Sequence, residues 1–168
     1  MNTSSSESIA YLGLGSNLDS PVDQINKARI SIRGINRVTE LVFSSLYVSA
    51  PMGPQNQPDY VNAVMAISTT LSPMALLNEL QTIERSQGRI RGDQRWCART
   101  LDLDLLLYGD QEIDLPELTV PHPGMVDRPF ELYPLHDCAA GLNIPGKGNV
   151  SKLLEHCPID GLRRLESD

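Results

Sequence analysis

Asp102 and Asp104, separated by one leucine in RTLDLDLLLYG, are the residue pair best placed to do chemistry. In an extended strand, positions i and i+2 project from the same face, about 7 Å apart. Carboxylates leaning together from that spacing can hold divalent ions of the ~4 Å pair used in two-metal sites. The competing reading is a solvated acid pair on the exposed face of a half-buried strand. Nearby arginines bear on the choice, because Arg85, Arg89, Arg91, Arg95 and Arg99 supply five of the 14 cationic side chains. Acids beside arginines form either an ion-pair cluster or a grip on a Mg²⁺-triphosphate complex, in which metals neutralise phosphate oxygens and guanidiniums hold the rest. Gly88 and Gly92 bracket Arg89 and Arg91, which suits a segment that closes over a nucleotide.

A second constellation would bind a flat molecule. Tyr60 and Asn62 share a strand face, so a ring and an amide stand side by side, and Phe130 can add another ring. Stacking plus paired hydrogen bonds suits a heterocycle with amide-like edges, although core packing is the alternative for Phe130. GLGSN, from Gly13 to Asn17, has neither the third glycine of a dinucleotide fingerprint nor a Walker lysine and reads as a structural turn. His122 in TVPHPG either contacts a phosphate or is structural.

The elements that must position these groups are legible in the hydrophobic pattern. Ile9 to Leu14 reads as a buried strand entering the GLGSN turn. Ser20 and Pro21 then begin a helix with Val22, Ile25, Ala28 and Ile32 on one face. LVFSSLYVS (41–49) and YVNAVMAIST (60–69) are strands by their β-branched and aromatic content. The proline-rich segment 50–59 between them cannot continue either one and forms an ordered loop. Ser72 and Pro73 open a second helix with Leu76, Leu77, Leu80 and Ile83 as its stripe. LDLDLLLY (101–108) is a strand with leucine at alternate positions 101, 103, 105 and 107, which places Leu106 and Tyr108 on the face of the two aspartates. Weaker helical patterns follow near 128–138 and 150–157. The order βαββαβ predicts an α+β, ferredoxin-like core, with one mainly antiparallel sheet carrying both helices on one face and extra C-terminal elements. The other sheet face is expected to be free for ligands.

The 168 residues fit one domain, 9–168, preceded by a polar tail, 1–8. Apolar residues at 40% and charged residues at 21% are the balance of a folded globular chain. A formal charge of −7 disfavours general affinity for nucleic acid or an anionic membrane. No apolar run reaches the ~18 residues of a membrane helix, and MNTSSSES lacks the features of a secretory signal, so a cytoplasmic location is expected. Cys97, Cys138 and Cys157 are odd in number and scattered, which predicts reduced thiols.

GLGSNL (13–18), APMGPQNQPDYVNAV (50–64), IERSQGRIR (83–91), RTLDLDLLLYG (99–109) and TVPHPGMVDRPF (119–130) resemble, in the same order, 6-hydroxymethyl-7,8-dihydropterin pyrophosphokinases. The resemblance spans nearly the whole chain, and RTLDLD followed by VPH is its specific part. It implies a ferredoxin-like fold and transfer of the β,γ-pyrophosphoryl group of ATP to the pterin hydroxymethyl oxygen, with AMP released in folate synthesis. It also implies that Asp102 and Asp104 bind two Mg²⁺, with ATP as co-substrate. Ser49, Ala50, Met52, Tyr60, Asn62 and Phe130 would form the pterin pocket. Gln81, Glu84, Arg91, Leu105, Thr119, His122 and Arg128 would face the nucleotide. Arg89 and Arg99 would contact phosphates, and Arg95 and Trp96 would lie on a closing loop. The reading is of a monomer acting on ATP and the pterin alone. Gly92 stands where many members carry a basic residue, Cys97-Ala98 where Gly-Pro is usual, and Pro123 where some relatives have tyrosine. A kinase releasing ADP and a noncatalytic nucleotide-binding domain are the competing functions.

Overall fold

The computed structural model describes residues 6–18, 20–50, 58–87, 101–159 and 161–165. Met52, Gly88, Arg89, Arg91, Gly92, Arg95, Trp96, Cys97, Ala98 and Arg99 lie outside the described residues, as does most of the proline-rich loop.

The chain begins with β1 (Ser8–Ser16), α1 (Pro21–Arg33), β2 (Val38–Phe43), β3 (Tyr47–Ser49), β4 (Tyr60–Thr69), α2 (Pro73–Ser86) and β5 (Asp102–Tyr108). It continues through a hairpin of β6 (Ile113–Leu115) and β7 (Leu118–Val120), a 3₁₀ turn at Met125–Asp127, and α3 (Pro129–Cys138). The short strands β8 (Asn143–Ile144) and β9 (Gly148–Asn149), α4 (Val150–Leu154) and β10 (Leu162–Arg164) complete it. Among the described residues β10, β3, β4, β1 and β5 pair in that order, β2 extends the β3 side of β4, and every pairing is antiparallel. This is the expected ferredoxin-like core, with β1 and β4 at its centre.

Central position explains the composition of β1 and β4. Residues Ala10 to Ser16 and Val61 to Ile67 are buried, so both strands read as continuous apolar runs rather than as alternations. On one face, Leu12, Leu14, Met65, Ile67, Leu103 and Leu105 meet the stripes of α1 and α2. On the other, Tyr11, Val64, Ala66, Leu106 and Leu107 meet Leu132 and Leu135 of α3 and Val150 of α4. The second face is therefore not wholly free for ligands: α3 and α4 cover one part and leave the part near Asp102.

Five local expectations change. The predicted strand 41–49 is broken at Ser44, whose hydroxyl accepts from the Val64 amide at 2.8 Å in place of a backbone carbonyl. The run Gly13 to Ser16 is strand rather than turn, because β1 continues opposite β5 to Gly15 and opposite β4 to Ser16. Ser20 precedes α1 in a left-handed conformation (φ 62°) and makes no side-chain cap, whereas Ser72 accepts from the Ala75 amide at 3.2 Å as expected. The alternation in β5 breaks after Leu105, where an extra residue bulges against Tyr11 and Leu12. Leu107 consequently joins Leu106 under α3, and Tyr108 turns to the α2 face, where its hydroxyl donates to the Leu71 carbonyl. At the amino end the Ser68 hydroxyl donates to Glu7, so the chain joins the sheet within the expected tail.

The second core holds the helix that walls the remaining open face. Leu132→Ala should cost about 2–5 kcal/mol in urea denaturation, as truncation of a fully buried leucine does. Leu41, exposed on β2, should change stability by less than about 0.5 kcal/mol when replaced by alanine. Equal effects would show that α3 is not packed as described.

Candidate active site

The pocket forms where three adjacent strands offer small or polar residues to the same face. Gly15 pairs with Asp102 on β5 and with Asn62 on β4, and Gly13 pairs with Asp104 and Val64. Directly paired residues share a face, so the two acids, the two glycines and Asn62 form one patch. The glycines are its floor. A Cβ at Gly15 would come within 3.1 Å of Asn62 Oδ1, and one at Gly13 within 3.4 Å of Glu131 Oε2. GLGSN thus serves the site by what its glycines lack.

The remaining walls come from later segments. Ser49, paired with Tyr60, accepts a 2.8 Å hydrogen bond from the Asn62 side-chain amide, which orients that amide. Pro129 at the first turn of α3 requires an extended residue before it, and Arg128 supplies it at φ −112°, ψ 103°. The start of α3 thereby sets Arg128, Phe130 and Glu131 against the patch. His122 follows a cis Val120–Pro121 bond, and its amide donates to the Leu106 carbonyl at 2.9 Å. The resulting pocket, about 280 Å³, is lined by Ser49, Ala50, Tyr60, Asn62, Asp102, Asp104, His122, Arg128 and Phe130 among the residues singled out from sequence.

The other described candidates stand apart from it. Glu84 is buried, and its Oε2 accepts from the Leu103 amide at 2.7 Å, satisfying a donor on the outer edge of β5. Gln81 lies one turn earlier on the same helix, half-buried. Leu105 packs its side chain into the α1–α2 core, opposite the aspartates. Thr119 is exposed on β7. None of these four lines the pocket. Cys138 and Cys157 are free thiols, as expected, and burial pushes the Cys138 thiol up to about 12.

Glu131 lines the pocket and was not anticipated. It is 4% exposed and lies in α3 with the buried Leu132 and Leu135. An acid inside the apolar stripe of a short helix was the signal available in the sequence. Nη1 of Arg128 sits 3.5 Å from Glu131 Oε1, an ion pair too long for a full hydrogen bond. Burial raises the Glu131 carboxyl to about 7, with the Asp102 charge adding to the shift and Arg128 opposing it.

Excess negative charge dominates the pocket. Asp104 lies well above the usual carboxylate range because it is desolvated and feels the negative charges of Asp102, Glu131 and, outside the pocket, Glu84, with Arg128 opposing. His122 Nε2 is 3.7 Å from Asp104 Oδ1, and burial, followed by Arg128, lowers the histidine pKa. A cation placed between the aspartates would offset this repulsion. Among the described residues no cluster of three or more His, Cys, Asp or Glu side chains is arranged to hold a metal ion alone. Two carboxylates, with other positions left to phosphate oxygens and water, are nevertheless what Mg²⁺ favours at nucleotide sites. The donor set fits a metal delivered with a polyphosphate.

Because the folded-state pKa of Glu131 exceeds its unfolded value, its protonation stabilises the fold below about pH 4.5, and this contribution is lost as pH rises through about 7. Urea denaturation of metal-free protein should therefore show wild type losing on the order of 3 kcal/mol relative to Glu131→Gln across that interval. Parallel pH profiles would remove the buried acid from this account.

The chain matches the family model described as 7,8-dihydro-6-hydroxymethylpterin-pyrophosphokinase (HPPK) over residues 11–140. It is 48% identical to 2-amino-4-hydroxy-6-hydroxymethyldihydropteridine pyrophosphokinase of Pseudomonas aeruginosa over 155 residues, 92% of this chain and 95% of that one. The protein of the same name from Haemophilus influenzae is 48% identical over 146 residues, covering 87% and 91%. The crystal structure of wild-type Plasmodium falciparum HPPK-DHPS with pterin and p-hydroxybenzoate superposes with a TM-score of 0.74 at 13% identity. That likeness of fold covers 99% of this chain and 48% of the other, so this chain spans about half of that protein. Its fold and the extent of its sequence identity place the chain in the HPPK family of pyrophosphokinases.

Proposed function

We propose that this chain transfers the β,γ-pyrophosphoryl group of ATP to the hydroxymethyl oxygen of 6-hydroxymethyl-7,8-dihydropterin, releasing AMP, as a step of folate biosynthesis. Membership of the family makes it a pyrophosphokinase and hence a transferase. The observation that carries the reading is the single pocket in which Asp102 and Asp104 stand beside Tyr60, Asn62 and Phe130. A metal-polyphosphate subsite and a subsite for a flat heterocycle share one floor there.

In this mechanism the Asn62 amide, held by Ser49, meets the amide-like edge of the pterin while Tyr60 and Phe130 flank its rings. Asp102 and Asp104 would hold two Mg²⁺ ions, which supply the positive charge that neutralises the phosphate oxygens during transfer. Arg128 and His122 lie beside Asp104, where the phosphates must pass. Arg89 and Arg99 would grip the transferring group, and Arg91, Arg95 and Trp96 would close over the nucleotide, with Gln81, Glu84, Leu105 and Thr119 on its outer side and Met52 beside the pterin. The hydroxymethyl oxygen attacks the β-phosphorus, the bond from that phosphorus to the α,β-bridging oxygen breaks, and that oxygen leaves with AMP. The hydroxyl proton passes to solvent. Positioning and charge neutralisation do the work, and the chain supplies both without a covalent step. The protein would act as a cytoplasmic monomer, and no described helix is long and apolar enough to cross a membrane.

Incubation with ATP, Mg²⁺ and 6-hydroxymethyl-7,8-dihydropterin should yield AMP only when the pterin is present. Asp102→Ala and Asp104→Ala should each lower turnover by roughly a hundredfold or more, and Arg89→Ala or Arg99→Ala by roughly a thousandfold. ADP as product would assign a simple kinase, and no turnover would return the pocket to a binding role. Gly15→Ala should push Asn62 off its position and raise the pterin KM roughly tenfold while leaving the KM for ATP within about twofold. Equal shifts in both constants would place Asn62 elsewhere in the mechanism.

A further inference from the structure

An acid buried in a pocket that must receive a polyphosphate needs a reason. Glu131 faces the same space as Asp102 and Asp104, and an apolar side chain would fill its place in α3 without adding repulsion. Its ion-pair partner at i−3 is Arg128, whose side chain is about a quarter exposed while that of Glu131 is nearly sealed. The guanidinium carbon lies 5.8 Å from the centre of the Phe130 ring. Arg128 thus lies between a carboxylate and an aromatic ring. From that position it lines the pocket together with Asp104 and His122, on the side proposed for the phosphates.

We infer that Glu131 is a positioning residue: its carboxylate holds the Arg128 guanidinium, before substrate arrives, in the place from which Arg128 meets the nucleotide phosphates. The inference rests on the nucleotide-facing role of Arg128 proposed above. Arginine is long and loses much rotamer freedom when fixed, so a partner that fixes it beforehand removes that cost from the binding step. Phe130 contacts the same guanidinium but faces the pterin, so Glu131 is the contact whose loss should act on the nucleotide alone. A purely structural ion pair would instead change stability and leave the substrate constants where they are.

The test measures kcat and KM for MgATP and for the pterin separately at pH 8, with thermal unfolding alongside, for Glu131→Leu, Glu131→Gln, Arg128→Ala and the Arg128→Ala/Glu131→Leu double variant. Glu131→Leu should raise the KM for MgATP about tenfold while the pterin KM stays within about twofold. Glu131→Gln retains an acceptor for the guanidinium and should recover most of the loss, to within about threefold of wild type. In the Arg128→Ala background, Glu131→Leu should raise the MgATP KM no further, because the group it positions is gone. A raised KM in Arg128→Ala with an unchanged KM in Glu131→Leu overturns the inference alone. An unchanged KM in Arg128→Ala overturns the nucleotide role of Arg128 and the inference with it. Should Glu131→Leu not fold, Glu131→Ala in both backgrounds carries the comparison: a rise in the MgATP KM confined to the Arg128 background supports the inference, and its absence overturns it.

Discussion

The pairing of β1 with both of its neighbours fixes where the pocket can be. Gly15 lies opposite Asp102 on one side and Asn62 on the other, so one residue of register decides that the acidic pair and the amide share a face. A slip by one position would send every side chain of the moving strand to the opposite surface. Asp102 and Asp104 would then point into the α1–α2 core, where burial of two unpaired charges is prohibitive. The apolar residues that interleave with them, Leu103 and Leu105 on β5 and Leu12 and Leu14 on β1, hold the register from the other side of the sheet. Core packing on one face is therefore what aims the chemistry on the other.

The opposite face is divided between structure and function. Leu106, Leu107, Val64 and Ala66 carry the second core beneath α3 and α4, while the glycine floor begins where those side chains stop. The boundary is the first turn of α3, where Leu132 is fully buried and Phe130 and Glu131 border the pocket. Farther along α3, Asp137 accepts from the Tyr47 hydroxyl at 2.8 Å and from Arg164 of β10 at 3.2 Å. Tyr47 is the cross-strand partner of Asn62, so the last described strand ties the helix wall to the strand that bears the amide. Distances across the pocket depend on that tie as well as on the core.

The concentration of acids gives the site its appetite for cations. Asp104 is held above its usual range by burial and by the negative charge of nearby carboxylates, Asp102 foremost, with Arg128 opposing. Such an arrangement carries a penalty in the metal-free fold that a bound cation would relieve. In the proposed mechanism a chain of charge −7 accepts a polyanion because a bound cation, together with Arg128, would offset the carboxylates of the pocket.

Much of this was legible in the sequence for identifiable reasons. Periodicity located α1, α2 and β5, because helix and strand periods differ, and β-branched and aromatic content located β4. The spacing of Asp102 and Asp104 placed both on one face, and the motif order identified the family before any coordinates. Local pattern failed where a distant partner intervened. Ser44 breaks a strand because Val64 offers it a donor, the bulge in β5 turns Tyr108 away from the acids, and Ser20 leaves its cap unused. Sequence alone determined the elements and the donor types, since both are properties of residues and their near neighbours. Only the tertiary structure decided that Gly13 and Gly15 are a pocket floor, that α3 covers part of the open face, and that its first turn, with Arg128 and Glu131, is set against Asp102 and Asp104. Those facts depend on which segments, far apart in the chain, are pressed together, and no local spacing encodes that contact.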